Sequence, residues 1–160
     1  MTSRRPTLVL ALGNDVAGDD AVGLAAARHL RRAAPPAVDI EETGEAGLAL
    51  LDWMTGYRHV LILDAVITPD LPVGSVLTYR QDDLRPIEHP SPHYAGLPDV
   101  ARLARLHNVP YPDDVVAVCM AVRRPERLHE GLSPEAEAAL PDLVAAARTV
   151  LQDWAGSEPE

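Results

Sequence analysis

TLVLALGNDVAGDDAVG, residues 7–23, is the stretch that decides the fold. Thr7 to Leu12 form an apolar run with no polar alternation, as expected of a strand covered on both faces of a sheet. Gly13 to Gly18 then make a turn, and Asp19 opens a helical pattern carried by Val22, Leu24, Ala25, Ala26 and Leu30 before Pro35-Pro36. A strand, a glycine-bearing turn and a helix in that order begin an α/β unit. Such turns often hold phosphate, but this one does not fit. Its glycines, Gly13, Gly18 and Gly23, stand five residues apart instead of in G-x-G-x-x-G. Asp15, Asp19 and Asp20 would also repel a pyrophosphate and already satisfy the preference of a helix N-terminus for negative charge. The turn is therefore suited to presenting a carboxylate to a cation. The plainer reading makes Asp19 the N-cap and Asp20 a partner of the helix dipole.

Outward from this unit the chain continues in the same style. Val38 to Glu42 alternates as a short strand, and Gly44 to Thr55 reads as a second helix with Leu48, Leu51, Trp53 and Met54 toward the core. His59 to Val66, HVLILDAV, is a strong third strand that carries an aspartate near its end. Ile67 to Gly74 is too short for a crossover helix, so Ser75 to Arg80 is expected to return antiparallel, as a hairpin-like edge. A proline-rich loop over Gln81 to Pro92 leads to a helix from Leu97 to His107, then a fifth strand, Asp114 to Val122. The last helix, from Ser133 to Trp154, starts with serine at the N-cap, proline at the first helical position and acids in its first turn. This order predicts one α/β domain over residues 1–160. It is a three-layer αβα sandwich on a five-stranded, mainly parallel sheet with one antiparallel strand, and residues 156–160 are expected as a disordered tail.

Composition narrows the function. The formal charge is −10, against nonspecific nucleic-acid binding. All fourteen basic side chains are arginine, so a P-loop lysine, a Schiff-base lysine and a Ser-Lys dyad are excluded. No apolar run approaches the ~20 residues of a membrane span. The single cysteine, Cys119, lies inside an apolar run where packing is its expected role. These features predict a soluble, cytoplasmic monomer.

In this architecture ligands collect beyond the carboxyl ends of the strands, near the point where strand order reverses. If the first and third strands are neighbours, Asp15, Asp19, Asp20 and Asp64 share that site. Asp64 ends the apolar run VLIL, where a carboxylate needs hydrogen-bond donors or a metal, or else serves the neighbouring turn. Of the six histidines, His93 sits in SPHYAGLPD in a loop stiffened by prolines, with His89 as a competitor. His29, His59, His107 and His129 read as surface or packing residues. One imidazole and two carboxylates make a plausible three-ligand set for a borderline divalent metal.

Four motifs in order make the sequence resemble the hydrogenase maturation endopeptidases. The opening G-N-x4-D-(D/E)-x-x-G is present as Gly13-Asn14 through Asp19-Asp20 to Gly23. The strand-end D-A is Asp64-Ala65, S-P-H-x-x-G-L-x-D runs from Ser91 to Asp99, and G-L-(S/T)-P-x-x-E-A runs from Gly131 to Ala138. The resemblance implies an endopeptidase that trims the C-terminal extension of a nickel–iron hydrogenase large-subunit precursor. It implies metal contacts at Asp20, Asp64 and His93, with nickel supplied by the substrate and no tightly held cofactor. Asp20 and Asp64 are then also the candidates for the catalytic group, and Gly44, Glu45 and Gly47 for substrate binding. Position 20 is aspartate where some members carry glutamate, and Glu45 stands where the family's G-G-T-x-G has threonine. A nickel-binding accessory protein, an α/β peptidase for another precursor and a flavodoxin-like nucleotide binder are the alternatives.

Overall fold

Strand residues alternate between two apolar faces. In the computed structural model, which describes residues 5–83 and 97–157, the five strands are β1 (Arg5–Leu12), β2 (Val38–Thr43), β3 (Tyr57–Ile67), β4 (Val76–Arg80) and β5 (Asp114–Val122). They form one sheet in the order β2-β1-β3-β5-β4, parallel except for β4 against β5. Val9, Ala11, Leu61, Leu63, Val116 and Val118 pack beneath α1 (Val22–Arg31) and α4 (Pro134–Ser157). On the opposite face Leu8, Leu10, Leu12, Val60, Ile62, Ala117 and Cys119 pack with Leu50 and Met54 of α2 (Leu50–Met54). A further helix, α3 (Leu97–Leu106), lies beside the turn that leads into α2. No helix among the described residues is long and apolar enough to cross a membrane.

β1 and β3 are neighbours and pair in parallel, with Ala11 opposite Leu63, which meets the condition for a shared site. The chain steps from β1 outward to β2 on one side and from β3 outward to β5 and β4 on the other. The switch point therefore lies between β1 and β3, and the turn after Leu12 and the end of β3 flank it.

Three expectations change. β4 is antiparallel and at the edge, but it pairs with β5 and makes no hairpin with β3. The slot beside β3 is taken by β5, buried along almost its whole length, whereas the half-exposed β4 suits an edge. The second helix is much shorter than Gly44 to Thr55. Gly47, at φ +59°, breaks any helix begun at Gly44, and a 3-10 turn over Gly47–Ala49 precedes α2. The rotation leaves Leu48 61% exposed and turns Leu50 inward. α4, finally, runs to Ser157, so residues 156 and 157 of the expected tail are helical.

Candidate functional site

The turn after β1 is shaped by close backbone approaches that only glycine permits. A Cβ on Gly13, at φ +154°, would lie 2.4 Å from the carbonyl oxygen of Asp20. A Cβ on Gly23 would lie 2.5 Å from the Leu63 carbonyl oxygen and 3.0 Å from that of Leu12. The first contact folds the turn back over its own start. The second seats the first turn of α1 on the ends of β1 and β3. Asn14 completes the shape, its side-chain oxygen accepting from Val16 N–H at 3.1 Å and its carbonyl from Ala17 N–H at 3.1 Å. Residues Gly18–Ala21 form a 3-10 turn packed against β3.

The three aspartates of this turn have three different fates. Asp15 receives both guanidinium nitrogens of Arg28, at 3.0 and 2.9 Å. That hydrogen bonding holds its carboxyl below the usual aspartate range. Arg28 also reaches Glu42 at 2.7 Å, and Arg31 pairs with Glu42 as well, so α1 and β2 are laced together along this rim. Asp19 is not the N-cap expected from sequence. The short turn has Ala17 at its N-cap position with no side-chain cap, and α1 proper begins after Ala21, also without one. Instead the Asp19 carboxylate meets a residue distant in sequence, accepting Ser133 N–H at 2.6 Å and the Ser133 hydroxyl at 2.7 Å. Asp20 is half-buried; its N–H donates to the Ala17 carbonyl at 3.2 Å, and among the described residues its carboxylate makes no hydrogen bond or ion pair.

Asp64 occupies the row Val60, Ile62, Asp64, Val66 on the α2 face of β3, next to Cys119 of β5. It is the only charged residue buried among the described residues, with no exposed surface. One carboxylate oxygen accepts the N–H of Ala65 at 2.7 Å. An ionised carboxylate in an apolar row costs several kcal/mol unless other groups compensate, so a fully buried Asp64 has to be held by its surroundings. The switch point thus brings the Asp20 turn beside the part of β3, around Leu63 and Asp64, where the pairing with β1 stops; β3 itself runs on to Ile67, so Asp64 lies inside the strand and not at its end. His93 and His89 lie outside the described residues. Among the described residues no three histidine, cysteine or acidic side chains gather into a metal cage.

Beside the turn, Gly13, Asn14, Asp15, Leu24, Glu42, Thr43 and Gly44 line an open groove of ≈ 400 Å³. Gly44 in its lining and the adjoining Glu45 are exposed, and Gly47 is half-buried. Glu45 is held in place: its N–H donates to the Thr43 hydroxyl at 3.1 Å, and its carboxylate accepts Trp53 Nε1–H at 2.7 Å. On the other side, His129 acts as a packing residue. Its carbonyl accepts Gly18 N–H at 3.0 Å, and its ring lies where a Cβ on Gly18 would be. The Asp19–Ser133 bond has no local sequence signal, because its partners are 114 residues apart.

The comparisons with known proteins give the chain a family and agree with its fold. The family model described as hydrogenase maturation protease matches residues 24–150, beginning just after Gly23. The hydrogenase 2 maturation protease of Escherichia coli (strain K12) is 32% identical over 151 residues, covering 88% of this chain and 90% of that protein. The solved hydrogenase maturating endopeptidase HybD from E. coli superposes with a TM-score of 0.78 at 28% identity, covering 92% of this chain and 93% of its own. The nickel–iron hydrogenase maturation protease HybD from Thermococcus kodakarensis shares the fold, with a TM-score of 0.70 at 24% identity and coverage of 91% and 98%.

Proposed function

The chain belongs to the hydrogenase maturation protease family and is a peptidase, and from that premise we propose that it removes the C-terminal extension of a nickel–iron hydrogenase large-subunit precursor, with the nickel in that precursor as its recognition element. One observation carries the reading. Of the three carboxylates in the first turn, that of Asp20 alone has no partner among the described residues, and it stands at the switch point with the buried Asp64. A carboxylate left with coordinating capacity at the edge of a sheet suits a cation that arrives with another protein.

In this reading Asp20, Asp64 and His93 complete the coordination of the substrate's nickel without forming a cage of their own. The metal's place in the precursor then fixes the scissile bond against the carboxylates, a gain from orientation rather than from a covalent intermediate. The nickel supplies Lewis acidity toward the carbonyl or water. Asp20 and Asp64 are the candidates for the group that takes the water's proton. No serine stands in G-x-S-x-G, and Cys119 is fully buried in mid-strand, so neither offers a nucleophile. Gly44, beside the groove, with the neighbouring Glu45 and Gly47, is the candidate surface for the precursor chain.

The test is incubation with nickel-loaded precursor and with the same precursor free of metal, read by intact mass. Loss of a C-terminal peptide from the loaded form alone is expected. Equal cleavage of both forms would remove nickel from the reading and leave a peptidase. Binding of loaded precursor without any mass loss would make the chain a nickel-dependent accessory protein. His93→Ala is expected to abolish cleavage while the unfolding midpoint stays near that of the parent.

A further inference from the structure

We infer that Asp19 and Ser133 form a clamp that positions Asp20, so that the late G-L-S-P motif serves the same site as the opening motif. This rests on the reading of Asp20 as the acid that meets the substrate's metal. The starting point is the weakness of the element that carries Asp20. Gly18–Ala21 is a single 3-10 turn of four residues without a side-chain cap. Such turns are short because their hydrogen-bond geometry is poor, and their conformation has to be fixed from outside.

Three contacts fix it. Ser133 donates its N–H and its hydroxyl to the two oxygens of Asp19, at 2.6 and 2.7 Å, and hydrogen bonds to a charged acceptor are the strong kind. The same serine hydroxyl accepts Ala136 N–H at 3.2 Å, and its carbonyl accepts Glu137 N–H at 2.9 Å. Ser133 is therefore the N-cap of α4, a helix of 24 residues anchored in the core through Ala136, Leu140, Leu143 and Ala147. One residue before Asp19, Gly18 is strapped to the carbonyl of His129 at 3.0 Å. One turn later, Gly23 is seated on Leu63. Gly131, at φ +92°, bends the chain so that it can both pass His129 along the turn and deliver Ser133 to Asp19.

Adjacent residues in a 3-10 turn project about 120° apart, because the turn holds 3 residues. Fixing the Asp19 carboxylate to a rigid helix end therefore fixes the direction in which Asp20 projects. The arrangement is a supporting shell, in which one acid holds the turn so that its neighbour can meet a ligand. Asp19 and Ser133 are positioning residues, with no contact to substrate required of either.

The experiment measures kcat and KM for processing of nickel-loaded precursor by Asp19→Ala, Ser133→Ala, Ser133→Thr and Asp20→Asn, alongside thermal unfolding of each. Misplacement of a reacting group by about 1 Å costs about 10²-fold, so Asp19→Ala and Ser133→Ala are expected to lower kcat about ten- to hundredfold with KM within about twofold. Ser133→Thr, which keeps the hydroxyl, is expected to restore most of the rate lost in Ser133→Ala. A normal kcat in Asp19→Ala overturns the clamp, and so does a loss that vanishes when the assay is run well below the unfolding midpoint. If Asp19→Ala does not fold, the Ser133→Ala and Ser133→Thr pair decides alone. Asp20→Asn separates the two levels. Full activity there defeats the reading of Asp20 itself, whereas an inactive Asp20→Asn beside a normal Asp19→Ala defeats only the clamp.

Discussion

The two ends of the sheet use the same residue type in opposite ways. At the end where the parallel strands begin, Asp114 accepts Trp154 Nε1–H at 2.9 Å and has Arg80 at 3.6 Å. Asp39 accepts the Tyr57 hydroxyl at 2.7 Å and Arg5 at 3.1 Å. Asp114 and Asp39 each have one neutral donor and one arginine. Aromatic surface completes the arrangement, with His59 stacked on Trp154 at 4.9 Å between ring centroids. Burial, with the Asp39 bond next, raises the titration of the Tyr57 hydroxyl, which stays a donor at any working pH. At the end where the strands finish, the Asp20 carboxylate has no partner among the described residues, and Asp64 lies in an apolar row. A carboxylate with a full set of donors contributes stability. One held in a rigid frame with coordinating capacity to spare, as Asp20 is, stabilises the fold less and is ready for a ligand.

The sharpest way to break this contrast is to remove one charge at each end. Asp64→Asn keeps the side-chain shape and the oxygen that accepts Ala65 N–H, so the fold is expected to survive while processing of nickel-loaded precursor falls by at least about 10²-fold. Asp114→Asn is expected to do the reverse. Its loss weakens hydrogen bonds to a charged acceptor, at about 1–2 kcal/mol in urea unfolding, while the processing rate stays within about twofold. A dead Asp114→Asn that still folds would show that the two ends are not functionally distinct.

The glycines sharpen the same contrast one step down in size. Gly23→Ala drives a methyl into the carbonyl oxygens of Leu63 and Leu12 and is expected to cost about 1–3 kcal/mol, since overpacking against backbone has little room to relax. A methyl on Gly156, in the last turn of α4, would meet nothing within 4 Å. Gly156→Ala is expected to be neutral or to stabilise by about 0.5 kcal/mol, as alanine is the better helix former. Unfolding midpoints of the two variants measure the difference directly.

Much of the site-bearing end is legible in the sequence because its signals are local. An apolar run that stops at Gly13, and another that runs through Asp64, announce buried parallel strands and a carboxylate late in the second of them. The short link after β3 announces a reversal of direction in β4. Its pairing partner is not legible, because what fills the slot beside β3 depends on how apolar β5 is. Asp19 misleads for a related reason. An aspartate at the start of a helix satisfies the local rule for a cap, and only the folded chain brings Ser133 close enough to take it. At the other end, nothing local links His59 to Trp154 or Trp154 to Asp114, which meet across the sheet and α4.

The smallest effect lies within the turn itself, where Asp15 is the paired counterpart of Asp20. Its carboxyl titrates below the usual range because Arg28 hydrogen-bonds it, so the pair stabilises the fold above the unfolded-state value near about pH 4. That contribution is lost as pH falls through the lowered folded-state value, when the carboxylate takes up a proton that the unfolded chain already binds. Both side chains are about half exposed, and Arg28 keeps Glu42 at 2.7 Å when Asp15 is removed. The expected size is therefore that of a surface pair, about 0.5 kcal/mol. Asp15→Asn should flatten the acid limb of the stability curve by that amount below about pH 4 and leave the curve near pH 7 lower by the same amount. In about 1 M salt, where the screening length is near 3 Å, the difference between variant and parent should shrink. Urea unfolding at several pH values and two salt concentrations reads all three. A loss of more than about 2 kcal/mol at neutral pH would mean that Asp15 holds the turn as Asp19 does, and that the turn has two clamps instead of one.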